Sequence, residues 1–137
     1  MVKKARGLKP LWKNMKKIDA NIVLRYLMND HTDNSPKAKE IIEKNSVEIP
    51  IEVLCEVVYV LTGYYRINRQ NVSNELNRFF ESTNCNLAHR EAVLKGLEYF
   101  GKHGLDFVDC ILAGYADIDK DEIFTFDDKL IKLMKNK

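Results

Sequence analysis

Hydrophobic and polar residues alternate along this chain with two periods, one typical of strands and one typical of helices. Short apolar runs that predict strands lie at residues 15–18, 47–49, 85–87 and 123–126. Apolar residues at helical spacing predict a helix directly after Asp106 and helices at residues 21–29, 37–44, 51–65, 69–80, 91–100 and 129–135. Strands that alternate with helices predict an α/β protein whose parallel sheet is flanked by helices on both faces.

The size and composition are those of one ordinary globular domain. The chain has 137 residues, of which 45% are hydrophobic and 31% charged. No apolar run has the length of a membrane helix or the character of a signal peptide, so no membrane association is expected. Three widely spaced cysteines among apolar residues predict buried thiols in a reducing compartment. We therefore expect a cytoplasmic protein.

Positive charge is concentrated at the start of the chain, although the net charge is only +2. The first seventeen residues hold seven Lys and Arg residues and no acid. Such a run either attracts nucleic acid or simply stays solvated. Because the first predicted strand begins at residue 15, residues 1–14 are expected to be a basic N-terminal extension, either disordered or left over from cloning. Residues 15–137 then form the single domain.

Two acids in the first half of the chain occur beside apolar structure. Asp19 lies where the first strand passes into a helix, a position that suits either a helix N-cap or a ligand site at the carboxyl end of a strand. Glu56 is the only charged residue between residues 53 and 65. A helix that is apolar on nearly every face is usually buried, and a buried carboxylate without a partner is costly. We therefore expect a cation beside Glu56, either a metal ion or an arginine.

The second half of the chain repeats this pattern. Asp106 has the position of a helix N-cap, and Asp109 follows at the third position of an apolar helix that must pack on the sheet. Asp127 and Asp128 end the strand predicted at residues 123–126 and precede the last helix. Asp19, Glu56, Asp109 and Asp127 are thus four acids that each lie at the edge of buried structure.

Clustered carboxylates favour one kind of chemistry. Oxygen ligands without His or Cys suit Mg²⁺ or Mn²⁺, which activate water and stabilise charge during displacement at a phosphodiester. Without the cation, such a cluster would repel a polyanion. The chain has neither phosphate-binding loop, G-x-x-x-x-G-K-[ST] or G-x-G-x-x-G. The three histidines are His31, His89 and His103. They fall in predicted loops or helix starts, away from any nucleophile motif.

Four segments together resemble the PIN-domain ribonucleases, and among them the VapC-like toxins of prokaryotic toxin–antitoxin pairs. These segments are residues 18–25, 56–61, 105–113 and 125–127, and their order and spacing match over nearly the whole chain. The resemblance implies a three-layer α/β/α fold around a parallel sheet of four to five strands. It also implies that Mg²⁺ or Mn²⁺ is bound by Asp19, Glu56, Asp109 and Asp127.

The resemblance extends to residues that support the acids, with two departures. Asn21 and Thr125 match positions that usually hold the acids through hydrogen bonds. Ala20 replaces a frequent Thr, so one hydroxyl contact is missing, and Asp128 stands where a basic residue is common. Asp106 and Asp128 could each share in metal binding or cap a helix, and the sequence does not separate these roles.

The resemblance further implies an RNA substrate, a small antitoxin that covers the site, and a homodimer. Cations suited to phosphate contacts are Arg25, Arg66, Arg69 and Lys132, each of which could equally be a solvated helix residue. The leading hypothesis is a metal-dependent endoribonuclease of toxin type. The alternatives are a PIN nuclease of RNA processing without an antitoxin and a catalytically idle nucleic-acid-binding scaffold.

Overall fold

A computed structural model describes residues 15–135, so the predictions made for residues 1–14 lie outside the described residues. Two short strands, β1 (Lys16–Lys17) and β2 (Val47–Glu48), pair in parallel, with Lys16 opposite Val47. A single parallel bridge joins Glu48 to Asn86. The first three predicted strands are therefore neighbours in one small parallel arrangement.

The sheet is smaller than the predicted four to five strands. Residues 123–126 do not form a strand, and the described residues contain two strands and one bridge. A strand is stabilised by ladder hydrogen bonds and by burial of one face. Here Phe124 and Phe126 are 88% and 103% exposed, and no backbone hydrogen bond within the described chain joins residues 123–126 to another strand. The alternating apolar pattern of this segment was misleading, because its aromatic side chains face solvent.

Helices make up most of the described chain, and the predicted helices are confirmed to within three residues at each end. The α-helices are α1 (Ala20–Met28), α2 (Asn34–Lys44), α3 (Ile51–Gly63), α4 (Arg69–Ser82), α5 (Arg90–Lys102), α6 (Phe107–Gly114) and α7 (Asp128–Lys135). A short π-helical segment, Tyr115–Asp119, directly continues α6.

One apolar core connects these elements. Leu54, Leu76, Leu97 and Leu130, from four different helices, are fully buried in it. Helix α1 packs on α2 and α3, α5 packs on α4 and α6, and α3 also contacts α6. No helix among residues 15–135 combines the length and the apolar character needed to span a bilayer.

The close contact between α5 and α6 depends on glycine. A Cβ atom at Gly114 would overlap the carbonyl oxygen of Ala92, and one at Gly96 would lie 3.0 Å from the carbonyl oxygen of Cys110. Only residues without a side chain allow the two backbones to approach this closely. This packing fixes the position of α6, the helix that carries Asp109.

Candidate metal and nucleic-acid site

Asp109 lies in the first turn of α6, an apolar helix whose Cys110, Ile111 and Ala113 are buried. Its own side chain is half-buried. Burial raises the pKa of the Asp109 carboxyl, and the nearby carboxylates of Asp127 and Asp106 raise it further. These three acids therefore share one electrostatic neighbourhood at the start of α6 and α7.

Asp127 caps the last helix. Its Oδ1 accepts a hydrogen bond from the backbone N–H of Leu130 at 3.0 Å, and its own N–H donates to Thr125 Oγ1 at 3.0 Å. Thr125 thus holds Asp127 through the backbone rather than through the carboxylate. The exposed Asp128 is the first residue of α7, so the capping role belongs to Asp127.

Asp106 occupies the N-cap position of α6, but its side chain makes no capping hydrogen bond. The reciprocal capping arrangement with Asp109 is therefore not formed. Asp106 lines an open cleft of about 360 Å³ between α3 and the start of α6, together with Cys55, Tyr59 and Arg69. Tyr59 is 76% exposed there. The sequence did not predict this aromatic and thiol lining, since neither residue type stands out within an apolar helix.

Asp19 caps the first helix. Its Oδ1 accepts a hydrogen bond from the N–H of Ile22 at 3.1 Å, and the residue is exposed. The sequence left a cap and a ligand site as alternatives, and the cap is present. Capping engages one carboxylate oxygen, so the two roles do not exclude each other.

The prediction that Glu56 is buried is wrong. Glu56 is exposed, and no cation of the described residues forms an ion pair with it. Helix α3 buries one stripe, formed by Leu54, Val57, Val58 and Leu61, and leaves its opposite side in solvent. Although α3 has apolar residues on nearly every face, the rest of the protein covers only one side of this helix.

Glu56 lines a second cleft, of about 620 Å³, between α1 and α3. Asn21 and Arg25 lie on the α1 side of this cleft, and Tyr64 and Tyr65 lie at its α3 end. Within residues 15–135 the Asn21 side chain makes no hydrogen bond to any of the four acids. The expected support of the acids by Asn21 is thus not formed in this arrangement.

Two of the four cations suited to phosphate contacts are already engaged. Arg25 donates to Asp30 at 3.1 Å and to the hydroxyl oxygen of Tyr65 at 3.0 Å. Arg69 donates to two backbone carbonyl oxygens, those of Phe100 and Leu105. Apart from the Arg25–Asp30 pair, these contacts join residues that are far apart along the chain, so the sequence carried no signal for them.

Arg66 and Lys132 are the exposed members of the set. Neither side chain forms an ion pair or hydrogen bond with the described residues. They are therefore the two cations of the set whose charge is available to a phosphate.

The four predicted acids divide into two groups by their surroundings. Asp109 and Asp127 interact electrostatically with each other, whereas Asp19 caps α1 and Glu56 lies on α3, the helix that packs on α1. No three His, Cys, Asp or Glu side chains within residues 15–135 come together closely enough to hold a metal ion. Mg²⁺ usually keeps several waters and binds through one or two carboxylates. A pair of carboxylates that repel each other fits such an ion in donor chemistry and in charge.

Comparison with protein families matches residues 17–136 to the PIN domain. No curated protein and no solved structure matches the chain. The family match begins within β1 and covers β2, the seven described α-helices and every acid discussed above. The chain therefore belongs to the PIN domain family, whose members are generally metal-dependent nucleases.

Proposed function

We propose that this protein is a metal-dependent endoribonuclease that hydrolyses RNA phosphodiester bonds with Mg²⁺ or Mn²⁺. One observation carries the proposal: within a PIN domain, the half-buried carboxylate of Asp109 lies near those of Asp127 and Asp106, and burial and then these two neighbours raise its pKa. Repulsion of this kind is relieved by a cation, and a cation is also what an acidic site needs in order to approach a polyanion.

In this proposal Asp109 and Asp127 are the main metal ligands, and Asp19 and Glu56 complete the acidic site. When bound, the ion polarises the phosphodiester and lowers the pKa of a water molecule. The cap on Leu130 and the hydrogen bond to Thr125 Oγ1 orient Asp127, and each leaves its Oδ2 uncommitted. Packing of the apolar side of α6 against α5 orients Asp109.

Substrate binding is assigned to the two candidate cations that have no hydrogen-bond or ion-pair partner among residues 15–135. Arg66 and Lys132 are exposed and suited to contacts with backbone phosphates. Such contacts give affinity without sequence preference and weaken as salt concentration rises. Arg25 is not assigned this role, because Asp30 already neutralises its charge.

Cleavage of a mixed pool of structured RNAs tests the proposal. The purified protein is incubated with Mn²⁺ or with EDTA, and wild type is compared with Asp109→Asn. Glu52→Gln is a matched control, because Glu52 is an exposed first-turn acid of α3 outside both acid groups. We expect cleavage by wild type and Glu52→Gln with Mn²⁺ only, and none by Asp109→Asn. Equal cleavage by Asp109→Asn, or cleavage in EDTA, would contradict the proposal.

The toxin role is part of the same proposal and has its own test. We propose that a small antitoxin covers the site and that the chain forms a homodimer in the cytoplasm. A short reading frame beside the gene, whose product relieves growth inhibition caused by this protein, is the expected result. Growth unaffected by expression of an RNA-cleaving protein would favour a processing nuclease instead. RNA binding without metal-dependent cleavage would favour an idle scaffold.

A further inference from the structure

Arg69 makes an unusual set of contacts for a residue at the first position of a helix. Its Nε–H donates to the carbonyl oxygen of Phe100 at 3.0 Å, and its Nη2 donates to the carbonyl oxygen of Leu105. The guanidinium carbon lies 3.8 Å from the centroid of the Phe100 ring. One half-buried side chain thus joins the start of α4 to the last turn of α5 and to the connection that follows it.

The Leu105 end of this connection sets where α6 begins. Leu105 precedes the N-cap residue Asp106, and the thiol of Cys110 also contacts the carbonyl oxygen of Leu105, at 3.7 Å. The N–H of Cys110 donates to the carbonyl oxygen of Asp106 at 3.0 Å, which closes the first turn. Asp109 lies within that turn, so the position of its carboxylate depends on the connection between α5 and α6 that Arg69 holds.

The planar guanidinium of Arg69 donates from two separate positions while it stacks on an aromatic ring. Lysine has the charge but offers one compact group, so it cannot reproduce both bonds and the stacking together.

We propose that Arg69 is a positioning residue, which holds the connection between Phe100 and Asp106 and thereby the carboxylate of Asp109, and that it does not bind phosphate. The inference rests on the proposed nuclease function for its catalytic readout. It reassigns a residue whose charge alone suggests an RNA contact.

Arg90 offers a matched control. It donates to the carbonyl oxygen of Phe80 at 2.8 Å and to that of Cys85 at 3.4 Å, and its guanidinium lies 5.7 Å from the Phe80 ring centroid. Arg90 therefore holds the connection between α4 and α5, as Arg69 holds the connection between α5 and α6. None of the four predicted acids is among its contacts.

The kinetic test compares Arg69→Lys with Arg90→Lys in RNA cleavage with Mn²⁺. We expect kcat of Arg69→Lys to fall at least about tenfold, with KM and the salt dependence of KM unchanged, as for residues that orient metal ligands. Arg90→Lys should keep its kcat while losing a similar amount of thermal stability. A raised KM with a salt slope reduced by about one would identify Arg69 as a phosphate contact instead. Equal losses of kcat in both variants would show that Arg69 acts on stability alone.

A second readout is independent of cleavage. Hydrogen exchange at the Cys110 amide reports on the first turn of α6, and we expect it to become about tenfold faster in Arg69→Lys and unchanged in Arg90→Lys. Exchange at Cys110 that is equal in both variants would overturn the proposal. If wild type does not cleave RNA, or cleaves it without metal, the proposed nuclease function fails. Exchange at Cys110 then still decides whether Arg69 holds the connection between Phe100 and Asp106.

Discussion

The two acid groups of this protein differ in how much their members affect each other. At the start of α6 and α7, Asp109 is half-buried, and its pKa is raised by burial and by the carboxylates of Asp127 and Asp106. In the second group, Asp19 at the start of α1 and Glu56 on α3 are both exposed. Asp19 is committed to a helix cap, and Glu56 forms no ion pair with a Lys or Arg of the described residues.

This difference indicates where a cation would be stabilised most. The first group holds negative charge that solvent screens incompletely, so a bound cation relieves repulsion there. Exposed carboxylates gain little from a counterion, because water already solvates them. We therefore expect metal affinity to depend more on Asp109 and Asp127 than on Asp19 and Glu56.

The largest expected effect is a loss of RNA cleavage that is greater for a substitution in the first acid group than for one in the second. Asp109→Asn should lower kcat/KM for RNA at least about a hundredfold, because it removes the charge of a proposed metal ligand. Glu56→Gln should lower it about tenfold, because Glu56 is exposed and less committed to the ion. Rates with Mn²⁺ at fixed pH measure both changes. A greater loss in Glu56→Gln would reverse the ranking of the two groups.

Asp127 allows the charge of the acid to be separated from its capping role. Asparagine can still accept the hydrogen bond from the Leu130 N–H, whereas alanine cannot. We expect both Asp127→Asn and Asp127→Ala to lose cleavage, by about tenfold or more. Only Asp127→Ala should also lose about 1 kcal/mol in its free energy of unfolding. Denaturant unfolding of the two variants distinguishes the contributions, and full activity in Asp127→Asn would exclude a role for the charge.

The same substitutions at Asp19 probe the other group. Asp19→Ala should cost about 1 kcal/mol of stability through the lost cap on Ile22, and Asp19→Asn should cost little. We expect cleavage by Asp19→Asn to fall less than cleavage by Asp127→Asn. An equal or greater loss would show that the acids of both groups meet on one ion in the active protein.

Local features of the sequence predicted much of the fold. Apolar spacing and helix start residues located the helices, and Asp19, Asp106 and Asp127 do stand at helix starts. These features depend on neighbours a few residues away, which the sequence displays directly. The first two strands were found for the same reason.

What the sequence did not predict depends on distant contacts. Nothing in the apolar pattern of α3 distinguishes the covered stripe from the side that exposes Glu56 and Tyr59. The alternation at residues 123–126 predicts a strand only if a neighbouring strand is present to pair with it. The role of Arg69 depends on two carbonyl oxygens more than thirty residues away along the chain. Side-chain type alone contains no record of such partners.

The smallest expected effect is a pH dependence of stability confined to the first group. The pKa of Asp109 is raised in the folded protein, so the folded state holds this proton more tightly than the unfolded chain does. The stability that this provides is fully present below the ordinary pKa of 3.8 and is lost as the pH rises through the raised folded-state value.

Asp109→Asn removes this titration. In metal-free buffer, the free energy of unfolding of Asp109→Asn relative to wild type should therefore rise between about pH 3 and pH 6, by about 0.5 kcal/mol, the size of a like-charge repulsion on a helix. Glu52→Gln is the control that keeps Asp109. Mn²⁺ should reduce the difference, because a bound cation stabilises the ionised carboxylate in wild type. If the difference in free energy of unfolding between Asp109→Asn and wild type stayed constant with pH, the environment of Asp109 would not differ from that of the exposed acids.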